Sequence, residues 1–247
     1  MMVLAQLRRS WAVSKKDIRV YYLKGPVLLF GVLFPLFLFL AFYIGRDLSA
    51  SFLIPGLIGM TLFFTATSVG PVIAPWETRM RVLERLVSAP ISLSAILLGD
   101  VLASLIFGII IALVPLLIGL LVGVGLFHSF IFTAGLILAA FCFSWIGMLF
   151  SAPPADVPGN VMMLSALVKF PLIFISGIFV SLNTLPSWGR AIAFISPLTY
   201  FTDLMRYSLQ NTHYFPIALD LAVLVGFAAL AALTALWFHH RSLPKRF

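Results

Sequence analysis

Six long apolar runs, separated by short polar or charged breaks, dominate the chain: 26–45, 52–74, 95–125, 128–150, 161–180 and 216–238. About 20 helical residues cross a hydrocarbon core of ~30 Å, so each run predicts one spanning helix. The runs are continuous rather than alternating, which excludes a membrane barrel. Lipid tolerates only helices and closed barrels, because every backbone polar group needs an internal partner. The breaks carry their own signals: Arg46-Asp47 ends the first run, and five charged residues lie between Trp76 and Arg85. His128-Ser129 marks a tight turn, and 152–159 is a Pro/Gly loop. The predicted fold class is all-α: a polytopic membrane protein forming a single domain, 1–247, with spans 1–5 in 26–180 and span 6 at 216–238.

Three segments between or beside the spans have patterns of their own. In 1–24, Leu4, Leu7, Trp11, Ile18 and Tyr22 recur at helical spacing, with Arg8, Lys15, Lys16 and Arg19 on an adjoining face. That predicts an amphipathic helix lying along the inner membrane surface. In 76–88, Trp76, Met80, Leu83 and Val87 form one stripe and Glu77, Arg81, Glu84, Arg85 and Ser88 the other. Glu77 and Arg81 are spaced for an i,i+4 ion pair, and Pro90 ends the segment. Its mixed charges suit docking to a protein as well as floating at an interface. The third segment, 181–215, is too apolar for a solvated loop, yet Pro186 and Pro197 cut it into pieces of about ten residues, roughly 15 Å each. It predicts a re-entrant helical hairpin, with Asp203 and Arg206 spaced i,i+3 as a candidate ion pair. An interfacial helix with snorkelling charges is the alternative.

Composition agrees with this pattern and charge gives it a direction. Hydrophobic residues are 62% of the 247 and charged residues 10%, against about 45–50% and ~25% in soluble domains. With the N-terminus inside, twelve of the sixteen Lys and Arg fall on inner segments: six in the first 24 residues, then Arg79, Arg81, Arg85, Arg241, Lys245 and Arg246. The positive-inside rule therefore puts both termini, including the tail 239–247, in the cytoplasm of a cell (inner) membrane protein. It also puts 181–215 outside. A basic inner rim facing anionic lipid accounts for the net charge of +8 without a nucleic-acid partner. The long basic stretch before the first run does not have the form of a signal peptide. The lone Cys142 sits in an apolar run as a packing residue and excludes an internal disulfide.

Several stretches resemble the type-2 ABC transporter permease family, the membrane subunits of bacterial and archaeal ABC exporters. They are Trp76-Glu-Thr-Arg, Leu83-Glu-Arg-Leu-Val-Ser-Ala-Pro90, Phe174-Ile-Ser-Gly177, Leu185-Pro-Ser-Trp188, and Ser196-Pro-Leu-Thr-Tyr200 followed by Asp203 and Arg206. Members of the family often carry Asn at the Ser196 position and Pro at the Val180 position, two mild departures. The resemblance implies a half-transporter pairing with a second copy or a paralogous permease, and with a separate ABC ATPase that binds ATP and Mg. It makes 76–88 a coupling helix, with Trp76, Glu77, Arg81, Glu84 and Arg85 as ATPase-coupling residues. It makes the hairpin an extracellular gate, with Leu185, Pro186, Trp188, Pro197, Tyr200, Asp203 and Arg206. It has the second and fifth spans lining the path, where Thr61, Thr65, Ser68, Lys169 and Ser176 are candidate pathway residues. From spacing alone, the same small polar positions read as close helix packing.

Other chemistry is sparse. No G-x-x-x-x-G-K-[ST], H-E-x-x-H or G-x-S-x-G occurs, so the chain has no P-loop, zincin or nucleophile-elbow signature. No cofactor or metal site is expected in it, and His239-His240 read as a solvated start of the tail. Asp100 and Lys169 are charges within the third and fifth spans, at similar predicted depth, and pairing between them would make them affordable in lipid. The function expected is the permease of an ABC exporter moving a hydrophobic or amphipathic substrate: drug-like, lipid or lipid-linked glycan. The rivals are an autonomous carrier or channel, for which no internal repeat is evident, and a membrane enzyme, for which the polar residues are too few.

Overall fold

A computed structural model describes residues 2–46, 48–153 and 157–242. Among them every regular element is helical. In chain order these are α1 (Met2–Asp17), a π-helical turn (Ile18–Tyr22), α2 (Gly25–Arg46), α3 (Ala50–Ala66), α4 (Gly70–Arg79), α5 (Val82–Ser88) and α6 (Leu93–Leu121). They continue with α7 (Ser129–Phe150), α8 (Pro158–Ile175), a 3₁₀ turn (Leu182–Thr184), α9 (Ser187–Phe194), α10 (Pro197–Gln210) and α11 (Ile217–Ser242). Local chemistry sets several boundaries. Ser49 and Ser92 cap α3 and α6 by accepting from the N–H of Phe52 and Ala95 at 3.3 and 3.2 Å. Pro158 and Pro197 sit in the first turns of α8 and α10, where a missing N–H costs nothing. Asn211 ends α10 with φ 56°, in the left-handed region that Asn tolerates.

Five helical stretches are long and apolar enough to cross a membrane: Ala50–Arg79, Leu93–Leu121, Ser129–Phe150, Pro158–Ile175 and Ile217–Ser242. They match five of the six predicted runs. The first run falls in α2, whose described apolar part is the shorter Gly31–Gly45. The predicted breaks at Asp47 and Asp156 and the tail residues 243–247 lie outside the described residues.

The core runs through α3, α6, α7 and α10, with Phe63, Phe143 and Phe201 meeting edge to face at its centre. The α10 helix packs on α3, α7 and α11, so this short element sits inside the bundle. Its 14 residues reach ~21 Å, well short of the hydrocarbon thickness. A modest length surrounded on several sides by helix is how non-spanning backbone is tolerated at membrane depth.

The α1 helix packs one face against α6. Its small and polar face, Ser10, Val13, Ser14 and Asp17, is buried. A Cβ on Gly99 of α6 would lie 2.6 Å from Val13 Cβ and 2.7 Å from the Ser10 carbonyl oxygen, so glycine alone admits this approach. The apolar stripe Leu4, Leu7 and Trp11 is turned outward and exposed. Tyr22, part of the apolar spacing in 1–24, is fully buried with its ring 5.0 Å from Phe107.

Candidate functional site at the α4–α5 segment and the α9–α10 hairpin

The segment between α3 and α6 is two helices rather than one. Arg81 has φ 54°, the left-handed region, and breaks the predicted 76–88 helix between α4 and α5. The break removes the expected i,i+4 pair. Glu77 turns inward, 1% exposed, and pairs with Lys16 of α1. Trp76, Met80 and Val87 are exposed, as are Arg81, Glu84 and Arg85. Of the predicted stripe only Leu83 is buried. The segment therefore presents aromatic, thioether and charged side chains outward, while one carboxylate anchors it from behind.

Further contacts hold α1 at this corner. The Gln6 side-chain oxygen accepts from Ser92 N–H at 3.1 Å, and Arg9 donates to the Pro90 carbonyl. Lys16 Nζ also lies 3.0 Å from Asp17. Burial pulls the Lys16 pKa down, but the carboxylates of Asp17 and Glu77 outweigh it and hold the ammonium above its ordinary value. Asp100 stands beside this group: its charged neighbours are Asp17, Glu77 and Lys16. The expected Asp100–Lys169 pair is absent, since Lys169 lies elsewhere. Lys169 Nζ points at the Thr67 carbonyl (3.3 Å) and Ser68 Oγ (3.4 Å) and sits 4.9 Å from the centre of the Phe64 ring. A cation is favourable there, because Thr67 closes the C-terminal end of α3.

The α9–α10 hairpin is fixed by charge-assisted bonds to backbone. Asp203, 3% exposed, accepts from the N–H of Tyr214 and Phe215 at 2.8–2.9 Å. Arg206 donates to the Gly177 carbonyl at 2.6 Å and lies 4.1 Å from the centre of the Phe52 ring. The expected Asp203–Arg206 ion pair does not form; each charge pins a different chain segment. Gly177 has φ 77°, which only glycine adopts without strain. Pro197 and Tyr200 are buried, with the Tyr200 hydroxyl donating to the Phe194 carbonyl at 2.7 Å. Leu185 is half-buried, while Pro186 and Trp188 are exposed. A cavity of about 130 Å³, with Ser176, Asn183, Asp203, Arg206 and His213 among its lining, lies beneath the hairpin.

The candidate pathway residues do not converge. Thr61 lines a crevice with Val32, Pro35 and Ile111, and Thr65 is buried in the same α2–α3–α6 packing. Ser68 meets Lys169, and Ser176 shares a hydrogen bond of 2.8 Å with Ser196. Outward-facing side chains belong to α8 instead: Met162, Met163, Leu167 and Phe174 are exposed. His239 is buried in α11 rather than solvated, bonded to Ser151 Oγ and the Met148 carbonyl at 3.1 and 3.0 Å. Sequence reasoning missed Lys16 and Asp17 as site residues. Their signal was an acidic residue at the end of an otherwise basic helix.

Over 177 residues the chain is 27% identical to the inner membrane transport permease YadH of Escherichia coli (strain K12), covering 71% of this chain and 69% of that one. Over 98 residues it is 32% identical to the daunorubicin resistance ABC transporter permease protein DrrB1 of Streptomyces coeruleorubidus, covering 39% and 34%. The ABC-2 type transporter family profile matches residues 5–209, from within α1 into the last turn of α10, so both the α1–α4–α6 corner and the α9–α10 hairpin fall within it. The chain belongs to the ABC-2 type transporter family, as a membrane permease subunit.

Proposed function

We propose that this permease exports a hydrophobic or amphipathic substrate, driven by a separate ABC ATPase that docks on α4–α5. In this reading the chain crosses the inner membrane six times, α2 being the first span, with both termini in the cytoplasm. Two permeases, identical or paralogous, form the path between them. ATP and Mg belong to the partner ATPase. The carrying observation is the corner itself: Trp76, Met80, Val87, Arg81, Glu84 and Arg85 are outward, while Glu77 ties the segment to α1. A docking surface with aromatic anchors and mixed charge suits a protein partner. The tie at its back gives motion of the partner a rigid handle on α1 and α6.

The outer gate is α9–α10, with Leu185, Pro186, Trp188, Pro197, Tyr200, Asp203 and Arg206. Opening it requires breaking the Arg206–Gly177 bond. The apolar face of α8 lines the path together with Lys169 and Ser176. The inward-packed Thr61, Thr65 and Ser68 contribute when α3 and α8 move apart. Binding and release of ATP bias two states of this path, the minimum that alternating access needs.

The relative in the daunorubicin-resistance transporter favours a drug-like amphiphile as the first substrate class to test. The test is transport of fluorescent amphiphiles by permease reconstituted with an ABC ATPase from the same genome. ATP-dependent accumulation that disappears when either subunit is omitted supports the reading. Equal transport by the permease alone, without ATP, contradicts it and favours an autonomous carrier.

A further inference from the structure

The corner between α1, α4 and α6 holds more acid than base. Asp17, Glu77 and Asp100 are 0%, 1% and 2% exposed, and Lys16 is the ammonium among them. Lys16 is committed to Glu77 by a hydrogen bond and to Asp17 by an ion pair. Beyond that ion pair, neither oxygen of Asp17 nor Oδ1 of Asp100 receives a hydrogen bond. Asp100 follows Gly99, where α6 meets Val13 and Ser10 of α1, so the two buried carboxyls share one corner. Two adjacent carboxylates cannot both stay ionised away from water; they share a proton instead. The other groups facing the pair supply no cation: they are the hydroxyls of Tyr21 and Tyr22 and the carboxylate of Glu77. Among the described residues no cluster of His, Cys, Asp or Glu is arranged to hold a metal ion.

We infer that Asp17 and Asp100 form a proton-binding site, and that the bound proton seats α1 against α6. The proton sits between one oxygen of each residue and makes a hydrogen bond that neither carboxylate otherwise receives there. Removing it puts a second negative charge into the contact formed around Gly99, and α1 lifts. Burial raises the affinity of Asp17 for a proton. The sign follows from linkage. A carboxyl titrating above its ordinary value of about 4 stabilises the seated form below that value, and the contribution is lost as pH rises through its folded-state pKa. Because Lys16 joins the same corner to Glu77, proton occupancy also sets how firmly the docking segment is held. That last step rests on the function proposed above; the seating of α1 does not.

The experiment is hydrogen exchange of α1 amides in the purified permease in lipid nanodiscs, between about pH 6 and about pH 9. After correction for intrinsic rates, α1 opening is expected to rise about tenfold per pH unit once the pair titrates. Asp17→Asn and Asp100→Asn should each keep α1 protected across the range, because an amide supplies a donor and removes one charge. Flat protection in the wild type overturns the inference. So does unchanged pH dependence in both variants, and so does restoration of protection at alkaline pH by sodium, which would make the pair a cation site. If neither variant folds, infrared spectra of Asp220→Asn decide, since Asp220 is a further buried carboxyl without a donor. A carboxylic-acid band that vanishes on raising the pH supports the site, and its absence at about pH 6 overturns it.

Discussion

The two ends of this permease handle buried charge differently. At the α9–α10 hairpin, Asp203 and Arg206 are each satisfied by backbone groups of another segment. At the corner of α1, α4 and α6, three carboxyls from three helices gather around one lysine. The hairpin is thus a latch that closes with fixed, directional bonds. The corner is a balance of charges, and a small change in occupancy or position shifts it. Under the proposed function, the hairpin is the gate that shuts against the outside and the corner is the side that responds to the partner.

Substitutions can break this contrast, and the largest effect belongs to the corner. Lys16→Met leaves Asp17 and Glu77 buried without their cation, at an expected cost of about 3–5 kcal/mol in detergent unfolding. That loss should shrink in acid, because burial already raises the Asp17 pKa and a protonated carboxyl needs no counter-charge. A pH-independent loss would mean that Lys16 acts through packing alone. Next comes Asp203→Ala, which strips the acceptor from the N–H groups of Tyr214 and Phe215. We expect about 2–4 kcal/mol from the same assay, with Asp203→Asn losing less. Gly99→Ala should cost about 1–3 kcal/mol, because the new methyl meets Val13 and the Ser10 carbonyl. Amide exchange should place that damage in α1 and leave α10 untouched. Thr65→Val should stay within about 1 kcal/mol, since the buried Thr65 hydroxyl has no hydrogen-bond partner to lose. A large loss there would point to a polar role for the α3 stripe.

Five of the spans and the break around Pro186 and Pro197 were legible in the sequence, because hydropathy and proline act locally. The partners of the charges were not legible. Glu77 and Arg81 have ideal helical spacing, yet the left-handed turn at Arg81 leaves Glu77 to Lys16, 61 positions earlier. Asp100 and Lys169 matched in predicted depth, but depth says nothing about which side of a helix a residue occupies. Asp203 and Arg206 are one turn apart and still bond to other segments, because backbone groups at 214, 215 and 177 needed partners more. His239 looked like tail because its neighbours are polar; α11 carries it one turn further, against the end of α7.

The central claim is that the ATPase is received at the inner corner and not sensed at the outer hairpin. The direct measurement is the affinity of an ABC ATPase from the same genome for the reconstituted permease, compared between Trp76→Ala/Arg85→Glu and Trp188→Ala. All three substituted side chains are exposed, so folding is spared. The account predicts at least a roughly tenfold loss for the inner double variant, about 1.4 kcal/mol, and no change for the outer one. Equal affinity in the inner variant, or an equal loss in the outer one, would contradict it.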